Sequence, residues 1–246
     1  MQQQPPEVDP AARSRANKAA AIYGLCRLVL FIALTVVIQG AAMLIGAPVP
    51  LIISALLAGK DADAIVLECD ELHVPKVAQR LNPKAFVLLN LTRDQLDRVG
   101  EINKIERALR EAVMAHPEAT VVANCDDVLV TSVAYDHPNV VWVAAGAGWV
   151  GDSVTNPRSG GHVVRTEDDW YAVEPLPDGR EFRRPTPAYA VTESALVTPQ
   201  GVATLELKLP GRANRGNAAH AIAAAVEAFG VPLDDAVRAA GEVDNV

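Results

Sequence analysis

Aromatic side chains are scarce in this sequence, where Phe, Trp and Tyr make up only 4% of the residues although half of the residues are hydrophobic. Ala, Val and Leu must therefore fill the core, which is typical of a parallel sheet covered by helices on both faces. Cysteine is scarce as well. Cys26, Cys69 and Cys125 cannot form a complete set of disulfides and lie in apolar or strand-like sequence, which predicts a reduced cytoplasmic protein with buried thiols.

The sequence also lacks a basic stripe, and its formal net charge is −8. A protein that binds nucleic acid needs a basic face to neutralise phosphates. The charge pattern therefore excludes nucleic acid as a partner.

Strands and helices alternate along the chain from residue 64 onward. Strands are predicted at 64–69, 85–91, 119–124 and 139–143, and helices at 74–81, 101–115 and 126–134. This alternation predicts an α/β fold with a parallel, Rossmann-like sheet. Ala-rich segments with helical spacing follow at 213–229 and 234–240.

Composition divides the chain into four parts. Residues 1–27 form a polar, proline-bearing tail followed by a predicted helix, and residues 28–150 form the first part of the α/β domain. Prolines, glycines and short β-branched runs between 151 and 208 predict a small β-rich insert. Residues 209–246 then return to the α/β domain as helices.

Polar and acidic side chains follow two predicted strands at the point where each strand ends. Ligands of parallel sheets bind beyond the carboxyl ends of the strands, where carboxylates can hold a magnesium ion and a nucleotide phosphate. The alternative interpretation is that these acids cap helices. The residues are Glu68, Asp70 and Glu71 after the first strand, and Asn90, Thr92, Asp94 and Asp97 after the second.

Four motifs in this order resemble the central domain of the Mur ligases, and within that family the MurT-type proteins. The motifs are VLECDE at 66–71, LNLTRDQLDRVGE at 89–101, ANCDD at 123–127 and LPGRANRGNAA at 209–219. The resemblance covers roughly residues 45–241, and an ordered set of this kind is more specific than any single motif.

The resemblance implies an ATP-dependent ligase subunit of peptidoglycan synthesis at the inner face of the membrane. Such a subunit amidates the D-glutamate α-carboxylate of lipid II, using ammonia from a GatD-like glutamine amidotransferase partner. Acyl-phosphate formation would precede attack by ammonia, with magnesium offsetting phosphoryl charge. The implied residues are Glu68 as the magnesium ligand, Asn90, Asn124, Asn214 and Asn217 as nucleotide contacts, and Asp94 and Asp97 as catalytic-region acids.

The chain departs from this family at three places. It has no Gly-x-x-Gly-Lys-Thr loop, whose amides and lysine would hold the ATP phosphates, so the P-loop unit is expected to be deleted or diverged. The insert of MurT-type proteins commonly holds zinc on two Cys-x-x-Cys pairs. Here Asn156 and Ser159 stand at the first pair and His162 cannot bind zinc alone, which predicts no zinc and an insert held by packing. A further family domain would follow residue 246.

No charged residue occurs between Arg27 and Lys60, and residues 28–47 are long enough to cross a bilayer. Two interpretations stay open: a membrane segment, or a buried strand-turn-helix, which Gln39, Pro48 and Pro50 favour. The basic residues ahead of a single span would place the acidic body outside the cytoplasm, which conflicts with ATP use. In either case an unrelated apolar segment can stand in place of lost sequence.

Two functional hypotheses remain. The first is a MurT-like ligase subunit completed by a partner. The second is a catalytically silent Mur-ligase-like remnant or scaffolding subunit, since phosphoryl transfer relies on the charge that the P-loop lysine supplies.

Overall fold

The computed structural model describes residues 64–91, 102–146, 154–167 and 169–244. The chain divides into two units, Met1–Glu68 and Cys69–Val246, which are described separately. The predicted tail and helix of residues 1–27, the apolar stretch from 28 to 59, and the candidate residues Asp94 and Asp97 lie outside the described residues.

Five helices and eight strands form the described part of the second unit. The helices are α1 (Val74–Leu81), α2 (Ile102–Met114), α3 (Val128–Ala134), α4 (Arg212–Phe229) and α5 (Leu233–Glu242). The strands are β1 (Ala85–Leu88), β2 (Thr120–Asn124), β3 (Val140–Ala144), β4 (Val163–Arg165), β5 (Trp170–Ala172), β6 (Tyr189–Val191), β7 (Ala195–Thr198) and β8 (Gly201–Thr204).

The main sheet has six strands in the order β1-β2-β3-β6-β7-β8. The first four are parallel to one another, whereas β7 and β8 continue the sheet as an antiparallel hairpin. This mainly parallel sheet confirms the predicted α/β fold, and every helix and strand predicted between 74 and 143 is present.

Helices cover both faces of this sheet, and β2 carries side chains into each of them. Val121 and Ala123 belong to a buried cluster that α2 and α3 complete, whereas Val122 belongs to a second cluster that α4 and α5 complete. Alternate residues of a strand point to opposite faces, so a strand with both faces covered is apolar throughout. All five residues of β2 are buried accordingly.

The predicted strand at 64–69 is wrong. Residues 64–70 have irregular backbone, and Val66 is 90% exposed. An apolar run becomes a strand only where a neighbouring strand accepts its backbone hydrogen bonds. Among the described strands, β1 pairs with β2 and with no other strand.

The predicted insert at 151–208 divides into two parts. We use "the insert" for its first part, the described residues from 154 to 188, in which β4 and β5 form a separate two-stranded sheet. The second part contains β6, β7 and β8, which belong to the main sheet. The predicted domain limits were drawn from composition, which does not reveal which sheet a short strand joins.

The insert has its own apolar core, which rests on α3. Trp170 and Phe182 are fully buried with ring centroids 5.1 Å apart, and Val128 of α3 joins their cluster. The Trp170 indole N–H also donates to the backbone oxygen of Cys125 at 2.9 Å. Packing therefore holds the insert onto the sheet layer, while the absence of zinc stays a prediction that metal analysis of the purified protein tests.

Asn156, which stands where a zinc-binding cysteine was expected, is fully buried and organises a tight turn. Its Oδ1 atom accepts a hydrogen bond from the Arg158 amide at 3.0 Å, and its backbone oxygen accepts one from the Gly160 amide at 2.8 Å. The side-chain amide thus gives the turn an internal acceptor of the kind that a thiolate would provide.

Candidate functional site

The carboxyl ends of β1, β2 and β3 meet at one edge of the sheet, and Asn124 joins two of them. Its side chain is 4% exposed. Its Nδ2 atom donates to the Gly146 oxygen beyond β3 at 3.2 Å, and its Oδ1 atom accepts from the Asp126 amide at 3.0 Å. Because both ends of the amide are occupied, Asn124 positions the loops at this edge.

Asp126 connects the same edge to the insert. Its carboxylate accepts hydrogen bonds from the Gly146 amide at 2.6 Å and from Arg184 Nε at 2.7 Å. Arg165 of β4 donates to the Asp126 backbone oxygen at 3.2 Å. Burial acts to lower the pKa of Arg184, but the hydrogen bond to Asp126 and the nearby negative charges together outweigh it. The net shift is upward, so this guanidinium stays charged.

Asp127 caps α3 and ties in the end of β1. Its Oδ1 atom accepts from the amides of Leu129 and Val130 at 2.9 Å each, and its Oδ2 atom accepts from the Leu91 amide at 3.2 Å. Burial raises the pKa of this carboxyl, although the three amides and the charge of Arg165 oppose the shift. Capping of α3 is therefore the principal role of Asp127.

The first turn of α4 lies against the end of β3. Gly146 has a φ of +85°, and a Cβ atom there would stand 2.3 Å from Arg212 Nη2, so the guanidinium of Arg212 rests on the bare backbone. Similarly, a Cβ atom on Gly216 would lie 3.1 Å from that of Ala145. Two glycines thus permit a close approach between helix and strand end.

Polar groups of α4 face this edge with different degrees of exposure. Gly211, the N-cap residue of α4, supplies no side-chain cap, so within the described part of the chain the first amides of the helix are available to an anion. Asn214 is half-buried and donates to the Pro210 oxygen at 2.8 Å, whereas Asn217 is exposed. Arg212 is exposed as well.

His220 is buried one turn further along α4. Its Nδ1 atom is 2.8 Å from the Gly216 oxygen, and its Nε2 atom has no partner among the described residues. Burial lowers the pKa of this imidazole, while Gly216 and Asp126 act in the opposite direction. The neutral ring is the form that the interior accepts.

The thiol of Cys125 is fully buried between β2 and α3. Burial and the neighbouring Asp126 raise its pKa to about 12. A thiol with so little thiolate is a small buried hydrophobe, as the sequence predicted, whereas Cys69 is only partly buried, against that prediction, and Cys26 lies outside the described residues.

The structure brings most of the predicted nucleotide contacts to one edge. Asn90 is exposed at the end of β1, beside the Leu91–Asp127 bond, and the segment holding Asn214 and Asn217 adjoins the Gly146 loop that Asn124 binds. Glu68, the predicted magnesium ligand, is an exposed carboxylate on irregular backbone in the first unit.

Sequence reasoning missed Gly146, Arg184 and Arg212 as parts of this edge. A signal for Gly146 existed, because AGAG follows β3 directly and glycine after a parallel strand is typical of a close approach. Nothing local pointed to Arg184, since its partner Asp126 is 58 residues away.

Within 64–91, 102–146, 154–167 and 169–244, no three His, Cys, Asp or Glu side chains converge in a way that could hold a metal ion. Across those same ranges, no helix is long and apolar enough to span a bilayer.

The fold and its polar carboxyl edge define a doubly wound α/β protein, and comparison with known proteins gives the family. The Mur ligase middle domain family matches residues 47–225, so the chain belongs to the Mur ligases. Residues 21–59 match a second family, described as a protein of unknown function (DUF4229).

The chain is similar to two curated relatives over less than a third of its length. It is 36% identical over 73 residues to the lipid II isoglutaminyl synthase (glutamine-hydrolyzing) subunit MurT of Streptococcus pneumoniae, covering 30% of this chain and 16% of that protein. It is 30% identical over 77 residues to the same subunit of Staphylococcus aureus strain COL, covering 31% and 17%. The matched part is thus about a sixth of each relative.

Two solved structures share the fold. A pseudomurein peptide ligase type C from Methanothermus fervidus superposes with a TM-score of 0.54 at 19% identity, covering 70% of this chain and 36% of that one. A UDP-N-acetylmuramoyl-L-alanyl-D-glutamate–2,6-diaminopimelate ligase gives a TM-score of 0.53 at 16% identity, covering 82% and 37%. The chain spans little more than a third of each structure.

Proposed function

We propose that this chain is a MurT-like subunit of an ATP-dependent ligase that amidates the D-glutamate α-carboxylate of lipid II in peptidoglycan synthesis. A GatD-like glutamine amidotransferase would supply the ammonia. The reaction would take place at the cytoplasmic face of the membrane, where such a substrate presents its peptide.

One observation carries the proposal: three of the four sequence motifs meet at a single edge of the sheet. Asn90 and Leu91 come from the second motif, Asn124 to Asp127 from the third, and Arg212 to Asn217 from the fourth. Their separation along the chain is large, and ligands of parallel sheets bind at this kind of edge. The similarity to MurT proteins supports the same assignment.

The residues at this edge divide into those that build it and those free to meet a nucleotide. Asn124 and Asp127 are occupied by backbone groups and hold the loops in place. Arg212 and Asn217 are exposed hydrogen-bond donors near the start of α4. Such groups can bind the anionic phosphates or the polar base edge of a nucleotide. ATP, when bound, would supply the phosphoryl group that activates the carboxylate.

Magnesium fits less well than the nucleotide. Of the proposed carboxylates, Glu68 is exposed, and a single exposed acid is a weak magnesium site without substrate phosphates. We therefore assign Glu68 only as the metal contact to be tested, and keep Asp94 and Asp97 as candidates on the strength of the second motif.

A second candidate function is a catalytically silent Mur-like subunit. The specific observation in its favour is that residues 21–59 match a different family and no P-loop lysine occurs in the sequence. Without that lysine the phosphates lose a fixed positive charge.

Calorimetric titration of the chain with a non-hydrolysable ATP analogue and magnesium separates the two candidates. Under the ligase proposal, the analogue binds with micromolar affinity, and both Arg212→Ala and Glu68→Ala weaken it. Arg80→Ala, which removes an exposed arginine of α1, is the matched control and leaves binding unchanged. Absence of binding at millimolar analogue would favour the silent subunit.

Lipid II amidation in the presence of the amidotransferase then tests the substrate assignment. Carboxamide formation that requires this chain, glutamine and ATP together is the expected result. Nucleotide binding without amidation would refute the lipid II assignment and leave the nucleotide site standing.

A further inference from the structure

A second concave site lies between α2, the end of α3 and the insert. It is a cavity of about 300 Å³, and its charged lining residues are Arg107, Arg110, Arg158, Arg180, Asp136 and Asp178. Four arginines against two aspartates give the lining a formal charge of +2, within a chain whose net charge is −8. The local charge is therefore opposite in sign to that of the whole chain.

Part of this charge is fixed in place by a continuous polar network. Glu106 is 1% exposed and accepts from Ser132 Oγ at 2.6 Å, and Ser132 Oγ in turn accepts from Arg158 Nε at 3.0 Å. Arg158 continues to Asp136 at 2.5 Å, and Asp136 accepts from Arg180 at 2.7 Å. The insert side of the lining is thus held in place before any ligand arrives, which lowers the entropy lost on binding.

Asp136 and Asp178 of the lining repel an anion only weakly, because Arg158 and Arg180 neutralise their charges. Burial acts to raise the pKa of Asp136, but hydrogen bonds from Arg180 and Arg158 outweigh it and hold the pKa below its usual range. Asp178 is likewise paired with Arg180.

Two arginines on the α2 side of the cavity keep guanidinium donors that no described residue accepts. Arg107 is exposed and makes no hydrogen bond or ion pair with a described residue. Arg110 approaches Glu106 through Nε at 3.2 Å, so its two terminal nitrogens are free of other described residues. Positions three apart on a helix share a face, and two guanidinium forks on one face match the oxygens of a single tetrahedral anion.

The cavity is separate from the carboxyl edge of the sheet. Asp127 starts α3 at that edge, whereas Asp136 follows the other end of the helix. Seven helical residues at about 1.5 Å each place roughly 10 Å between the two ends. A ligand in the cavity would therefore contact neither Gly146 nor Arg212.

We infer that this cavity is a binding site for a phosphate-type oxyanion, held by Arg107 and Arg110 of α2 and by the preorganised Arg158 and Arg180 of the insert. The anion is either free phosphate or the phosphate end of a small molecule, since both present the same oxygens. The site joins the insert to the α/β layer, so its occupant would bridge the two.

Isothermal titration calorimetry of the full chain at low ionic strength tests the site, with inorganic phosphate and glycerol 2-phosphate as probes. Arg107→Gln is the informative variant because Arg107 makes no bond with a described residue, and its loss should leave the fold intact. We expect it to weaken binding by about tenfold, the effect of one lost charge-assisted hydrogen bond. Arg110→Gln should weaken binding similarly, and Arg80→Gln on α1 should stay within about twofold of the parent.

Tighter binding of glycerol 2-phosphate than of inorganic phosphate supports the site and identifies its ligand as the phosphate end of a larger molecule. Tighter binding of inorganic phosphate supports the site and identifies its ligand as free phosphate. Equal binding by Arg107→Gln and the parent would overturn the inference. So would the lack of saturable heat up to roughly 10 mM of either probe, an affinity too weak for a built site. Nucleotide binding at the carboxyl edge should be unchanged in Arg107→Gln, which separates this inference from the proposed ligase function.

Discussion

Arg158 ties the insert to α3, and replacing it with methionine should lower the stability of the whole domain. The side chain is 7% exposed and donates three hydrogen bonds: to Ser132 Oγ at 3.0 Å, to the Ser132 backbone oxygen at 2.5 Å and to Asp136 at 2.5 Å. Methionine has similar length and fills the space, so the change tests the polar contacts rather than the packing.

The magnitude follows from what the substitution leaves behind. Ser132 is fully buried, and an unpaired backbone oxygen in such a place costs about 1–3 kcal/mol. Asp136 is 31% exposed and keeps its bond to Arg180, so its share is only about 1 kcal/mol after solvent screening. The expected loss is about 2–4 kcal/mol, which for a chain of this size lowers Tm by about 5–15 °C.

Urea unfolding, followed by far-ultraviolet circular dichroism and by tryptophan fluorescence, measures this loss. Trp170 is 1% exposed in the core of the insert, so its emission, measured with Trp142 and Trp149 replaced by phenylalanine, reports whether the insert loosens before the sheet. Arg238→Ala removes an arginine whose bond to Asp235 is exposed, and should lower the free energy of unfolding by no more than about 0.5 kcal/mol. If the two variants had the same midpoint, the network around Arg158 would contribute nothing net to stability.

Three further predictions concern the carboxyl edge. Asp127→Ala removes the cap of α3 and leaves the Leu91 amide unpaired, so the free energy of unfolding should fall by about 2–4 kcal/mol. A fall of less than about 0.5 kcal/mol in a urea titration would contradict the capping role. Gly146 and Gly179 share a φ near +85°, but only at Gly146 would an added Cβ atom meet a side chain, that of Arg212. Backbone strain should lower the free energy of unfolding by about 1–2 kcal/mol in both Gly146→Ala and Gly179→Ala. Only Gly146→Ala should also weaken nucleotide binding, because it displaces Arg212. The pKa of His220 is lowered in the folded state, so the contribution of the neutral ring to stability is present above the unfolded pKa of about 6.5 and is lost as pH falls through the folded pKa. The urea midpoint of the parent should therefore drop more between pH 7 and pH 5 than the midpoint of His220→Leu. Equal drops in the two proteins would argue against this role of His220.

The spacing of apolar residues predicted those helices and strands whose conformation is determined by neighbouring residues in the sequence. The helices α2 and α4 and the buried strand β2 fall within a residue or two of the predicted limits, because each combines a regular apolar pattern with a local end signal. At the end of α4, for example, Gly230 adopts φ +69° and accepts the left-handed conformation that stops the helix.

Contacts between distant segments could not be predicted in this way. The apolar run at 64–69 looks like β1 in sequence, but among the described residues no strand pairs with it. Arg184 reaches Asp126 across 58 residues, and Trp170 reaches Cys125 across 45. Such partners are chosen by the folded arrangement of the insert, for which the sequence carries no periodic signal.

For the candidate site, the resemblance pointed to segments of which three meet at one edge of the sheet, while the nucleotide and catalytic roles of their residues stay predictions. Asn124 was expected to contact nucleotide, yet both polar ends of its side chain bind neighbouring backbone. A motif identifies which residues share an edge, whereas burial and hydrogen bonding decide whether a side chain can still meet a ligand.

The position of the insert between β3 and β6 limits how this protein can change during evolution. These two strands are parallel neighbours, with Val143 opposite Tyr189, so the chain that leaves one must travel back along the sheet before it enters the other. A tight turn cannot make that return. Deletions within the insert must therefore leave a segment of strand length or more, and the insert is open to replacement by other crossover connections but not to outright loss.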